Sequence, residues 1–207
     1  DAISDVVRKS LLTFWNTVSF YSLYANAANF VLPQNLTLDP SKIGLMDKWI
    51  LSELNTLIKT VDQSLENFDS QAAGNAIGQF IDDLSNWYVR RSRRRFWDGE
   101  VTALTTLYIC IKNLSLMMAP MVPFISEHVW QVLVRVNEPS VAESIHLANF
   151  PTSNEKLIDQ KLSQQVSLSR RIVELGRAAR AQSAVKVRQP LSRALISDRK
   201  STRLNSS

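Results

Sequence analysis

The sequence predicts an all-α fold: an antiparallel bundle of about five helices with a C-terminal helical or irregular appendage. Three observations carry this. Apolar residues recur at three- and four-residue spacing along most of the chain, the period of a helix with one buried face. Five glycines and seven prolines among 207 residues are too few for the turns of an all-β domain. A chain of this length buries roughly 70% of its unfolded surface, enough for a core without covalent staples.

The elements follow in order. Val7, Leu11, Phe14, Val18, Tyr21 and Ala25 form a 4-3-4-3-4 stripe, which predicts a first helix over about 4–29. Pro33 and Pro40 in a polar segment predict a loop. Ile50, Leu54, Leu57, Val61, Leu65 and Phe68 mark a second helix. Asp69 or Ser70 can cap a third, which runs through Ile77, Ile81, Leu84 and Tyr88 into NWYVRRSRRRFW. A fourth carries Leu104, Tyr108, Ile111, Leu114 and Met118 and stops before Pro120. Pro123 opens a fifth, with Ile125, Val129, Trp130 and Leu133 inward. Residues 137–153 break the pattern, with one short extended piece around 145–147. A polar sixth helix covers about 154–183 and ends in SAVKVRQPLSRAL. The domain reading is a bundle over 1–153 and a basic helix with a junction segment over 154–197. Residues 198–207, DRKSTRLNSS, read as the translated read-through of a sequencing adapter, and without them the formal charge falls from +5 to +3.

Composition excludes several functions. The single Cys110 allows no internal disulfide and no cysteine-based zinc module, and fits a reducing compartment. No run of roughly 18 uninterrupted apolar residues predicts a membrane span. His128 and His146 stand apart, without HExxH or a neighbouring acidic cluster, and read as core or surface histidines. Neither GxGxxG, GxxxxGK[ST] nor GxSxG occurs, so no catalytic residue is assigned.

The arginine stretch is the feature that asks for a reason. At 100° per residue the core stripe continues from Tyr88 to Arg91 and Arg95, so either the helix leaves the bundle there or these side chains meet carboxylates. Arginine grips phosphate bidentately and stacks on bases, and Trp87 and Trp97 add stacking surfaces suited to an unpaired loop. An ion-pair network with Asp82, Asp83, Asp98 and Glu100 is the competing account. A second basic cluster lies further on. Arg170, Arg171, Arg177, Arg180, Lys186, Arg188 and Arg193 face only Glu174 as an acid, and Arg170, Arg177 and Arg180 share a narrow arc of the sixth helix, which reads as a phosphate-tracking ridge or an ordinary solvated face.

Five segments in order, MDKWILSELN, NWYVRRSRRRFW, LSLMMAPMVPFISEHVWQVL, SIHLANFP and VKVRQPLSRAL, resemble the anticodon-binding region of class I isoleucyl-tRNA synthetases. The similarity spans essentially 1–197 and is nearest the branch shared by eukaryotes, archaea and some bacteria. Valyl and leucyl synthetases share the bundle and stay as alternatives, as does a helical protein-interaction module with a structural arginine network. The resemblance implies a cytoplasmic ligase that attaches isoleucine to its tRNA using ATP and magnesium. It implies as partners isoleucine tRNA and the catalytic domain of the same polypeptide. No cofactor is expected in this chain, which carries no HIGH-type or KMSKS-type motif. By position it implies nucleic-acid contacts at Trp87, Tyr88, Arg90, Arg91, Arg93, Arg94 and Arg95. To these the basic second cluster adds Arg177, Arg180, Lys186 and Arg188.

Overall fold

A computed structural model describes residues 7–34, 36, 38, 43–193 and 195–196. The adapter-like tail and the first residues of the expected first helix lie outside the described residues. The chain divides into two compact units, 1–160 and 161–207.

Unit 1 is built from five helical rods among the described residues. Helix α1 (Leu12–Ala27) follows a wide π turn at Val7–Leu11. It buries Phe14, Val18, Tyr21 and Ala25, the stripe its spacing predicts. Helix α2 (Leu45–Glu66) sends Trp49, Ile50, Leu54, Leu57 and Val61 into the core. Phe68 departs from its expected inward place: it adopts a left-handed φ of 57° and is 95% exposed. The backbone turns there, with Phe68 N–H donating to Leu65 O and Asp69 N–H to Ser64 O, and this throws the ring outward.

Asp69 then caps α3 (Ser70–Asp82), its carboxylate accepting Ala72 N–H at 2.8 Å. The rod runs on through a π segment, Asp83–Val89, into α4 (Arg90–Trp97). Gly99, at φ 66°, turns the chain into α5 (Val101–Met118). Helix α5 has the length and hydropathy of a membrane span, yet 67% of it is buried within the protein; its apolarity is that of a central core helix. Helix α6 (Pro123–Val129) starts on its proline and continues through π turns at Trp130–Val134 into α7 (Arg135–Asn137).

Residues 145–147 form a 3-10 turn rather than the expected extended piece. The Glu127 carboxylate accepts from Ser144 Oγ and Ile145 N–H, both at 2.9 Å, and Ser144 O accepts Leu147 N–H, which coils the segment. Burial alone would raise the Glu127 pKa, but bonds from Gln131, Ile145 and Ser144 hold it below the usual value. Ile145 thereby joins Ala119, Trp130 and Val134 in a small satellite core.

The sixth predicted helix begins later than its periodicity suggests. Glu155–Leu157 is a separate 3-10 turn, and α8 covers Gln160–Gln182. Polar side chains on α2 hold this stretch away from helical geometry. Asn55 Oδ1 accepts Asn154 N–H at 2.7 Å, Ser52 Oγ accepts Asp159 N–H at 2.8 Å, and Lys59 pairs with Glu155 at 2.9 Å. Unit 2 consists of α8 from residue 161 onward and the turns that follow it.

Candidate nucleic-acid interface

The arginine rod is anchored by one buried carboxylate. Asp47 lies in the first turn of α2 and is fully buried. Its Oδ1 accepts the Tyr88 hydroxyl at 2.7 Å and Arg95 Nη1 at 2.8 Å; its Oδ2 accepts Arg95 Nη2 at 2.6 Å and Gly44 N–H at 3.1 Å. The other edge of the Arg95 guanidinium meets Glu100, Nε at 2.9 Å and Nη2 at 2.7 Å. Bonds to Glu100 first, and then to Asp47, raise the Arg95 pKa above its usual value. Burial, reinforced by Asp47, raises the Tyr88 phenol and keeps it a neutral donor. A buried charge with this many well-directed partners is the form in which burial is tolerated.

Two predicted RNA-binding residues are therefore corrected. Tyr88 is 0% exposed and cannot touch a ligand at the surface; it supports Asp47. Arg95, with 25% of its side chain exposed, spends every nitrogen on Asp47 and Glu100. The ion-pair account holds for this one arginine.

Arg91 is not on the core face, and the π segment is the reason. Leu84, Tyr88, Ser92 and Phe96 are all buried, at four-residue intervals. An α-helix advances roughly 100° per residue, so twelve residues would carry Phe96 about 120° from Leu84. A π-type turn absorbs an extra residue and takes back most of that rotation. The core stripe thus passes through Ser92 and Phe96, and Arg90, Arg91, Arg93 and Arg94 all point to solvent.

These four differ in company. The Arg91 guanidinium lies over the Trp87 ring, 5.1 Å from its centroid, an attraction of about 0.5–1 kcal/mol at an exposed site. Arg94 approaches Asp98 at 3.8 Å, but its side chain is 93% exposed, and such a pair contributes little. Arg90 and Arg93 have no acidic partner among the described residues. Trp87 is half-buried. Trp97, at the end of α4, is 74% exposed.

In unit 2, Arg177, Lys186 and Arg188 are exposed. Arg180 is not free to track phosphate with its whole guanidinium. Its Nη1 donates to Lys186 O at 2.9 Å and Gln189 O at 2.8 Å, folding the chain after α8 back onto the helix end. Ala184 takes a left-handed φ of 54° in that turn.

His128 is exposed, its ring 5.6 Å from that of Trp15, and His146 is exposed as well. Among the described residues no group of three or more His, Cys, Asp or Glu side chains converges to hold a metal ion. The functional residue that sequence reasoning misses is Asp47. Its one signal is an acid three residues after Gly44 at a helix start, which reads as an ordinary cap.

Fold and surface together define an all-α module with one rod turned cationic on its outer side. The profile of the family described as "Anticodon-binding domain of tRNA ligase" matches residues 47–195, and the chain belongs to that family. It is 54% identical over 201 residues to an isoleucine–tRNA ligase of Thermobifida fusca, covering 94% of this chain and 19% of the relative. Against that of Streptomyces avermitilis the identity is 52%, over 94% of this chain and 18% of the relative. Against that of Dehalococcoides mccartyi strain 195 it is 44%, over 91% and 19%. The chain thus spans about a fifth of the length of these curated relatives. A crystal structure of the ternary complex of Agrobacterium radiobacter K84 agnB2 LeuRS, tRNA and LeuAMS superposes with a TM-score of 0.52 at 19% identity. The match covers 77% of this chain and 17% of that one, a likeness of fold.

Proposed function

We propose that this chain is the part of an isoleucine–tRNA ligase that grips the anticodon stem and loop of isoleucine tRNA. One observation carries the reading. The rod fixed at Asp47 and Arg95 holds four exposed guanidiniums, Arg90, Arg91, Arg93 and Arg94, on the outer side of a rigid bundle. Arginine binds phosphate oxygens through paired N–H groups and also stacks on unpaired bases. Names and identities of the relatives support the isoleucine assignment over the valyl and leucyl ones. The aminoacylation chemistry, with its ATP and magnesium, belongs in this reading to the remaining length of such a cytoplasmic enzyme, and no step of it is carried by residues of this chain.

Filter binding of isoleucine, valine and leucine tRNAs across a salt series tests the proposal. Isoleucine tRNA is expected to bind most tightly, with affinity falling steeply as salt rises. Changing Arg90, Arg91, Arg93 and Arg94 to glutamine should lower the log–log slope by up to about 2.8, at roughly 0.7 per neutralised single-strand phosphate, while the bundle stays folded. Arg95 is left intact because its loss would unfold the anchor. Equal affinity and slope in the variant would remove the RNA face from this rod.

A further inference from the structure

Away from the arginine rod, unit 1 holds a second concave feature that gripping RNA leaves unused. Between α2, α5 and the segment 152–157 lies a cleft of about 370 Å3, within the roughly 300–1,000 Å3 range of small-molecule sites. Its lining comes wholly from unit 1. The floor is apolar because α2 turns Leu51, Leu54 and Ile58 toward it at three- and four-residue spacing, and α5 adds Ile109. Leu36 and Leu38 contribute further apolar surface from the chain before α2.

The polar part of the lining is held in place. Asn55 donates Nδ2 to Leu51 O and accepts Asn154 N–H, both at 2.7 Å. Ser153 Oγ donates to Asn55 O at 2.8 Å, and Lys59 pairs with Glu155. These bonds tie 152–157 to α2, so the cleft is formed before any ligand arrives.

The lining groups left uncommitted are mainly donors. Asn154 Oδ1 is spent on Lys156 N–H at 3.1 Å, whereas its amide nitrogen donates to nothing among the described residues. Asn113 gives one N–H to Ile109 O at 2.8 Å and keeps the second, since an amide nitrogen carries two. The Thr152 hydroxyl and the Lys156 ammonium have no partner among the described residues, and no aspartate or glutamate lines the cleft. An apolar floor beneath N–H and O–H donors and a single cation matches an aliphatic chain that ends in one negative charge. An ionised carboxylate only accepts, and its two oxygens can take several donors. A phosphate monoester carries close to two charges, more than one lysine offsets.

We propose that this cleft binds a medium-length aliphatic monocarboxylate, its chain lying on Leu51, Leu54, Ile58 and Ile109 and its carboxylate meeting Lys156 and Thr152. The assignment is independent of the RNA-binding reading.

Octanoate is the probe, titrated into the whole 207-residue chain and followed by methyl NMR of leucines and isoleucines. Shifts should saturate at Leu51, Leu54, Ile58 and Ile109 with a Kd on the order of 1 mM, as for a weakly efficient ligand of about ten non-hydrogen atoms. Acetate, the head without the chain, should leave these methyls unmoved. Octanol, the chain without the charge, should bind about three- to fivefold more weakly, the upper range of an exposed ion pair. Lys156→Gln, at an exposed side chain that supports no other group, should remove that advantage while the spectrum stays that of the folded chain. Ile109→Trp, which fills the cleft, should abolish the shifts at Leu54 and Ile58 with either probe. Methyls of the cleft that stay unmoved by octanoate at roughly ten times that Kd, or shifts confined to other methyls, overturn the site. Octanol binding the wild type as tightly as octanoate, or Lys156→Gln keeping the full preference for octanoate, overturns the carboxylate assignment.

Discussion

Asp47 decides how the arginine rod sits, although it carries the opposite charge and never reaches the surface. It joins the start of α2 to two residues of the third rod, Tyr88 and Arg95, across 41 and 48 positions of sequence. Asp47→Asn would replace an acceptor of four bonds with a group that turns N–H donors toward N–H donors, and would leave Arg95 only Glu100. Breaking a buried pair from one side costs about 3–5 kcal/mol, to be read from urea denaturation midpoints. Tyr88→Phe deletes one donor to the same carboxylate and should cost less, about 1.5–3 kcal/mol. A loss of under about 1 kcal/mol for Asp47→Asn would show that Glu100 alone holds Arg95. The arginines are conspicuous in the sequence, but nothing local tells Arg95 from Arg94, because what separates them is a partner nearly fifty residues upstream. Spacing offers Asp98 and Glu100 as acids for the run and is silent about Asp47.

Most helices are legible from spacing, since amphipathic stripes such as Phe14–Val18–Tyr21 need only local order to be seen. The third rod is legible as a helix, but its phase is not. A period of 3.6 sends Arg91 to the core, and only the π segment at Asp83–Val89 turns it out. Nothing in the residue types there announces a wide turn. The segment also yields a test at the level of the element. Asn86 is exposed and its amide donates to Asp82 at 2.6 Å, so it can be removed without opening the core. Deleting it turns the spacing from Leu84 to Tyr88 into three, followed by four and four, and an ordinary α-helix keeps those residues on one face. The shortened rod should therefore fold with stability within about 1 kcal/mol of the parent and keep the Asp47 anchor. Ser85 should shift relative to Val89, Arg90 and Arg93, and tRNA affinity should fall. A variant that binds tRNA as well as the parent would make the wide turn a tolerated irregularity rather than part of the interface.

At the scale of the whole chain, exposed positive charge is divided between the two units, and the two sets are built differently. In unit 1 the guanidiniums stand on a rod fixed by a buried carboxylate. In unit 2, Lys186 and Arg188 sit in turns held by the Arg180 bonds to backbone oxygens. Helical arc groups Arg170, Arg177 and Arg180 as one ridge, which is sound geometry. It does not reveal that Nη1 of Arg180 is committed to two carbonyls beyond its own helix. The same blindness to polar side chains as backbone partners puts the start of the last helix at 154, where Asn55 and Ser52 prevent it. Salt dependence can apportion the two sets, because each phosphate no longer neutralised takes roughly 0.7 from the slope for single strands. Neutralising Arg90, Arg91, Arg93 and Arg94 removes up to about 2.8, and neutralising Arg177, Lys186 and Arg188 removes up to about 2.1. If the two sets grip RNA independently, their effects should add in the combined variant, to a loss of up to about 4.9 from the slope. A second set that changes affinity without changing the slope would instead hold RNA, or the turn itself, by something other than charge.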